Sequence, residues 1–309
     1  MASNELGWVQ QVEGNTPLVE DYLAGRSAGK QMLVVAPTHI EGHEITAEIR
    51  ASLKEAGKLG KEDKAFAQLV PLNRTEAERG DVERYDGTEV MVFHRNSGTF
   101  RAGQRVRVAD WKKGDRFASP SHFSLYTPEK ISLAAGDTIR ITANGKTADG
   151  HKLNNGAVYE VEGFDERGNI VLGNGWTVAK EYGHLSHGYV STSHAAQGKT
   201  VDRVLIAMGS ESLPAIDADQ FYVSMSRGRE SAKVYSDLAP AALREAIQRT
   251  DTRKSATELM TPVQPKRKDG LRGIMKKARE RFQRLREGIV GVTREIVKQK
   301  EPIYAGQER

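Results

Sequence analysis

Apolar positions fall into two periodicities along the chain, and the change between them marks its organisation. Residues 32–36 (Met-Leu-Val-Val-Ala) form a short continuous apolar run ending at Pro37-Thr38, the pattern of a strand buried on both faces. After it Ile45, Ile49 and Leu53 recur every four residues, and Ala56 extends the row to Gly57. That spacing predicts a helix with one apolar face, stopped by glycine. Val201–Met208 is a second buried-strand run, Gln220–Arg229 reads as a helix start, and Ala232–Asp237 as a final strand. Together these predict an α/β unit on one parallel sheet, with loops at the C-terminal ends of the strands.

Between these pieces the pattern shortens. Val90–His94, Gln104–Val108, Asp137–Thr142, Ala157–Val161 and Asn169–Leu172 are strand candidates, punctuated by Asn144-Gly145, Asn155-Gly156, Arg167-Gly168 and Asn174-Gly175. Asn-Gly between apolar runs is a strong hairpin signal. Residues 130–182 therefore predict a small antiparallel barrel set into the α/β domain; the alternative is β-rich decoration without a function. In the tail, Ile274, Ala278, Phe282, Leu285, Ile289, Val292 and Ile296 make a heptad-like stripe. Gly288 and Gly291 weaken it, by up to about 1 kcal/mol each relative to alanine. It reads either as a solvated helix docked on its own domain or as a contact for a partner or nucleic acid.

Composition adjusts this picture in four ways. Hydrophobic content of 38% is low and charged content of 28% slightly high, so a folded core is expected beside polar or extended segments. The absence of cysteine excludes disulfides and cysteine–zinc sites. No apolar run approaches the roughly 18–20 residues that span a bilayer, and Met1–Trp8 carries no secretory pattern. The expectation is a cytoplasmic protein without membrane insertion. The net charge of +5 is uneven: residues 266–300 hold 13 Lys/Arg against 4 Asp/Glu. The remainder is net negative, so the basic character belongs to the tail.

Gly198-Lys199-Thr200 first suggests a phosphate-binding loop. Such a loop must open a helix whose N-terminus faces the phosphates, but Asp202-Arg203 leads at once into an apolar strand, and Ser193 stands where the first glycine belongs. Gly25–Lys30 fails too, with three intervening residues where four are needed and Gln31 at the hydroxyl position. No apolar strand ends in an Asp-Glu magnesium box. His184/His187 and His39/His43 have metal-like spacing, yet no further ligand completes either pair, so no metal site is expected.

Tyr189–His194 followed by Ala195–Asp202 and an apolar strand resembles helicase motif V. Phe221–Glu230, containing Ser226-Arg227-Gly228-Arg229, resembles motif VI, and Val34–Thr38 with its helix resembles motif IV. Their order over about residues 30–238 resembles the second RecA-like domain of RecD-like superfamily 1 helicases. The wording is nearest to the helicase part of TraI/TrwC-type (MobF) conjugative relaxases. The resemblance implies a P-loop NTPase-type parallel sheet, with an SH3-like barrel inserted before motif V and a C-terminal helical tail. The expected division is 1–95 and 186–240 for the two parts of the RecA-like domain, 96–185 for the insertion, and 241–309 for the tail.

The resemblance also implies roles. Arg227 takes the arginine-finger position, a planar cation that stabilises charge in phosphoryl transfer. Gln197, Gly198, Lys199 and Arg229 fall beside the nucleotide, with a surface ion pair as the bland alternative for Arg227. Pro37, Thr38, His39, Thr192, Ser193 and His194 would meet single-stranded DNA through its phosphates; a structural histidine is the alternative for His194. ATP and magnesium would bind only with a first motor domain, so the chain alone is expected to be inactive as an ATPase. Expected partners are single-stranded DNA and a first RecA-like domain or relaxosome protein. The other reading is a non-enzymatic module, derived from a helicase, that binds single-stranded DNA or a relaxosome.

Overall fold

The computed structural model describes residues 8–111, 119–198, 200–216 and 218–248; Lys199 and the stripe from Ile274 to Ile296 lie outside the described residues. Five strands form a wholly parallel sheet in the order Val9–Gln11, Gly228–Ser236, Val201–Ala207, Met32–Val35, Val190–Ser191. Both faces are covered, which is why the two central runs are continuously apolar. On one face Val34, Leu205 and Tyr235 pack with Leu18, Tyr22, Ile45 and Ile49 from helices Thr16–Ser27 and His39–Glu55. On the other, Leu33, Val204, Ile206 and Val234 meet Leu243 and Ala246 of helix Pro240–Gln248 and Phe221 and Met225 of helix Ala218–Met225.

Local chemistry sets the boundaries. Thr38 caps the helix His39–Glu55, its side chain accepting from Glu41 N, and Gly57 follows at φ +66°. The stretch expected as a strand over Tyr189–His194 pairs only at Val190–Ser191, because a short helix, Ser193–Ala196, begins at once. The helix expected to reach Arg229 stops at Met225, and the last strand begins at Gly228. There the pairing with Val201–Ala207 slips: Val201 faces Gly228, but Arg203 faces Ser231. A Cβ at Gly228 would lie 2.3 Å from the Ser231 carbonyl oxygen, so the bulge requires glycine.

The remaining strands are antiparallel. Lys64–Pro71 pairs along its whole length with Phe123–Leu133, which also pairs with Val90–Phe93 and through it with Arg105–Arg107. A second sheet runs Thr177–Val178, Ile170–Leu172, Val158–Phe164, Thr138–Ile141, Leu185–His187. Gly156, Gly168 and Gly175 turn at φ +85°, +81° and +80°, while Gly145 sits in a two-residue strand paired with Lys152–Leu153. Phe66, Ile131 and Leu133 share one core with Ile139, Ile141, Val161 and Leu172. By sheet membership the antiparallel strands run from Lys64 to His187, because Lys64–Pro71 and Val90–Phe93 find their partners there. No described helix is long and apolar enough to cross a membrane.

One carboxylate joins the two portions. Asp137, fully buried, accepts from Arg50 Nε and Nη2 at 2.9 Å each, from Ala134 N at 2.7 Å and from Tyr189 Oη at 2.7 Å. Burial works against the Arg50 charge, but Asp137 and then Asp63 outweigh it and raise its pKa above the ordinary value. Removing one partner of a buried pair strands the other charge. Arg50→Ala should therefore destabilise the chain by about 3–5 kcal/mol in urea unfolding. Lys54→Ala, which breaks the more exposed pair with Asp63, should cost under about 1 kcal/mol; equal losses would refute the ranking.

Candidate functional site

The residues singled out by the sequence lie at two opposite edges of the parallel sheet. At the N-terminal ends of the central strands are the turn Ser226-Arg227 and the loop Gln197-Gly198, which leads into Val201. Val201 N donates to the Arg227 carbonyl at 3.0 Å and so pins the two motifs together. Gly198 turns at φ +81° with nothing near a built Cβ, and Gln197 is exposed beside it. Arg227 Nε donates to the Val223 carbonyl at 2.8 Å, and Nη2 donates to Ser226 Oγ at 2.8 Å. Both acceptors are neutral, and no described carboxylate pairs with this guanidinium.

Arg229 is arranged differently. Its Nη2 donates to Asp202 Oδ1 at 2.7 Å and to Gln31 Oε1 at 3.2 Å. The Gln31 backbone N–H and then Arg229 hold the Asp202 carboxyl below its ordinary pKa. Around them Lys30 and Arg203 both reach Glu230, at 2.6 and 3.5 Å. The charge of Arg229 is thus matched locally, whereas that of Arg227 meets no carboxylate among the described residues. An arginine without a carboxylate partner suits an incoming phosphate; one already in an ion pair suits a structural role.

At the other edge, beyond the C-terminal ends of Met32–Val35 and Val190–Ser191, lie Pro37, Thr38, His39, Thr192 and the start of the helix Ser193–Ala196, which includes His194. The Thr38 hydroxyl shares a 3.0 Å hydrogen bond with Ser212, and Glu41 accepts from Gly209 N at 2.9 Å and from Ser212 Oγ at 2.5 Å. His39 is exposed, as is neighbouring Ile40. Ser193 is turned the other way. Only 5% exposed, it donates to Gln220 Oε1 at 3.2 Å and accepts from Ser224 Oγ at 3.4 Å. Its hydroxyl is used inside the protein.

Thr38, His39 and Thr192 line a cavity of about 90 Å³ together with His43, Arg140, Ser186 and His187. The last three come from the antiparallel portion; the sequence marked His187 only for its metal-like spacing with His184, and it marked neither Arg140 nor Ser186. Only the alternation around Arg140, between Ile139 and Ile141, marks it as facing away from the core. Burial pushes the His187 imidazole down to about 4, against the raising pull of Asp137, and pushes His184 down to about 4 with Arg105 adding to it.

No family model matches the chain. The multifunctional conjugation protein TraI of Escherichia coli is 27% identical over 245 residues, covering 71% of this chain and 14% of TraI. The conjugal transfer protein TraA of Agrobacterium fabrum (strain C58 / ATCC 33970) is 32% identical over 137 residues, covering 43% of this chain and 12% of TraA. The chain is a homologue of the TraI and TraA conjugation proteins. It spans about one seventh of the length of the TraI it matches. Among solved structures, a Bacteroides Pif1 helicase in complex with ADP-AlF3 and ssDNA aligns at 14% identity and TM-score 0.36, covering 71% of this chain and 42% of Pif1. Likeness that slight assigns nothing.

The TraI homologue should lose stability in acid for a stated reason. His184 and His187 have folded pKa values of about 4 against 6.5 in an unfolded chain, so the unfolded state binds more protons between these values. Their contribution is complete above pH 6.5 and is lost as pH falls towards 4. A melting series should show this fall, and His184→Leu with His187→Leu should flatten it. An unchanged slope in the double variant would refute the assignment.

Proposed function

We propose that this TraI homologue is the second RecA-like motor domain of a conjugative relaxase/helicase, carrying an inserted SH3-like barrel. In this reading it lends Arg227 to an ATP site whose other wall is a first motor domain, and it holds single-stranded DNA along Pro37, Thr38, His39 and Thr192. The observation that carries the reading is the division of one parallel sheet into two edges. One presents a guanidinium whose partners are neutral, and the other presents hydroxyls and an exposed imidazole. His194 stays in the DNA-facing set by its place after Thr192, Ser193 leaves it, and Gln197 and Gly198 keep the nucleotide-facing place, with Lys199 beside them in sequence.

ATP with magnesium supplies the phosphoryl group when bound by the partner domain. What this chain adds is a cation held by Val223 and Ser226 at the end of its helix, with no competing carboxylate among the described residues. Arg229, engaged with Asp202, supports the turn. A second reading, a non-enzymatic module for single-stranded DNA or a relaxosome, draws on that same pair, which removes one of the two motif VI arginines from phosphate binding.

The test is ATP turnover with single-stranded DNA, for the chain alone and with a first-motor-domain fragment of a TraI relative added. Turnover should need both parts, and Arg227→Ala should lower it by about 10³–10⁵-fold, while Arg229→Ala acts mainly on stability. Vigorous turnover by the chain alone overturns the shared-site reading. Complemented turnover that survives Arg227→Ala rejects the finger. DNA binding with no complementation favours the module.

A further inference from the structure

The cavity between the sheet edge and the antiparallel portion has a chemistry of its own. Arg140 stands between Ile139 and Ile141, both fully buried, so strand alternation turns its side chain outward to the cavity. Ser186 faces it directly across the strand pair. Arg140 Nε, Ser186 Oγ and His187 Nδ1 are all buried and have no hydrogen-bond partner. A guanidinium offers five donors and no acceptor, and a buried donor or charge left unpaired is costly. Burial is what lowers the Arg140 pKa, with no carboxylate offsetting it.

The lining explains why nothing offsets it. Apart from Arg140, the titratable groups facing the cavity are His39 and His43 of the helix His39–Glu55 and His187 of the neighbouring strand. None of the lining residues is acidic. Donors without partners, in a cavity with cationic or neutral walls, describe a place for an oxyanion. Exposed His39 and Ile40 stand at the sheet-edge side, where an extended polymer can pass.

The geometry points to a phosphodiester pocket: Arg140 and Ser186 from the antiparallel portion, with Thr38, His39 and Thr192 from the sheet edge, clasp one backbone phosphate of single-stranded DNA. This rests on the reading that the edge faces DNA, and it adds that the antiparallel portion supplies the cation. Phosphate contacts of this kind position a strand without reading its sequence. They also leave a mark in salt dependence, a slope of about 0.7 per neutralised phosphate on single strands.

The experiment measures anisotropy of a labelled oligo-dT with the full chain and with Arg140→Met, Arg140→Lys and His39→Ala, over a salt series and beside melting curves. Arg140→Met keeps most of the side chain's volume and removes the unpaired charge, so its melting temperature should hold or rise. Its affinity should fall by about tenfold or more, the size of a charge-assisted contact, and its salt slope should drop by about 0.7. Arg140→Lys should recover part of the affinity and the slope. Unchanged affinity and slope in Arg140→Met, with a loss in His39→Ala, overturns the pocket and leaves the DNA-facing edge standing. No change in either variant overturns both. A fall in melting temperature matching the fall in affinity assigns Arg140 to structure and overturns the proposal. Inorganic phosphate that stabilises the wild-type chain but not Arg140→Met, with DNA affinity unchanged, makes this a free-anion site and overturns it as well.

Discussion

A single fully buried carboxylate, that of Asp137, holds the two halves of this fold in register. A lone buried anion would be intolerable, since its desolvation exceeds any one compensating contact. Here it receives four donors: two from Arg50, one from the Ala134 backbone and one from Tyr189. The three residues that supply them come from different parts of the fold. Arg50 belongs to the helix beneath the sheet, Tyr189 to the sheet's core cluster, and Ala134 to the turn of the antiparallel portion. Packing alone would let these layers slide, whereas a saturated carboxylate fixes distance and angle together. Next to Tyr189 the backbone also approaches closely at Gly188, where a Cβ would lie 2.9 Å from Thr138 Cγ2.

The anchor bears on function because of what its partners lead to. The helix carrying Arg50 starts at Thr38, and Tyr189 precedes Thr192 by three residues. Asp137 itself precedes Arg140 in the neighbouring strand. The residues around the cavity are therefore spaced from one fixed point through short, hydrogen-bonded stretches. That is the kind of support by which side chains on separate elements keep a common geometry.

Much of the parallel sheet was legible because a strand buried on both faces must be apolar without interruption, as Leu33–Ala36 and Val204–Met208 are. The motif arginines were legible as residue types in a fixed order, but their roles were not equivalent. The placement of Asp202 and Gln31 shows Arg229 to be engaged, whereas Arg227 bonds the Val223 carbonyl and Ser226. Lys64–Pro71 escaped notice because just Phe66 and Leu69 are buried along it, too few to show a period of two. Its partner, Phe123–Leu133, is interrupted in sequence by Pro128-Glu129-Lys130, which reads as a break. Arg140 is one cation among many in a linear reading. What distinguishes it is a buried Nε with no hydrogen-bond partner among the described residues, which no spacing rule reports.

Ser193 links the short helix Ser193–Ala196 to its neighbour, bonding Gln220 and Ser224 on the helix Ala218–Met225. That helix ends in the turn of Arg227, whose N–H donates to the Ser224 carbonyl at 3.1 Å. The chain from Thr192 to Val201 crosses from one edge of the sheet to the other within ten residues, and Val201 is bonded to the Arg227 carbonyl. Both ends of this crossing are thus tied, one to the wall of the cavity and the other to the turn of Arg227. Because Ser193 is buried and bonded to the helix that leads into the Arg227 turn, the two ends of the sheet share one hydrogen-bonded path.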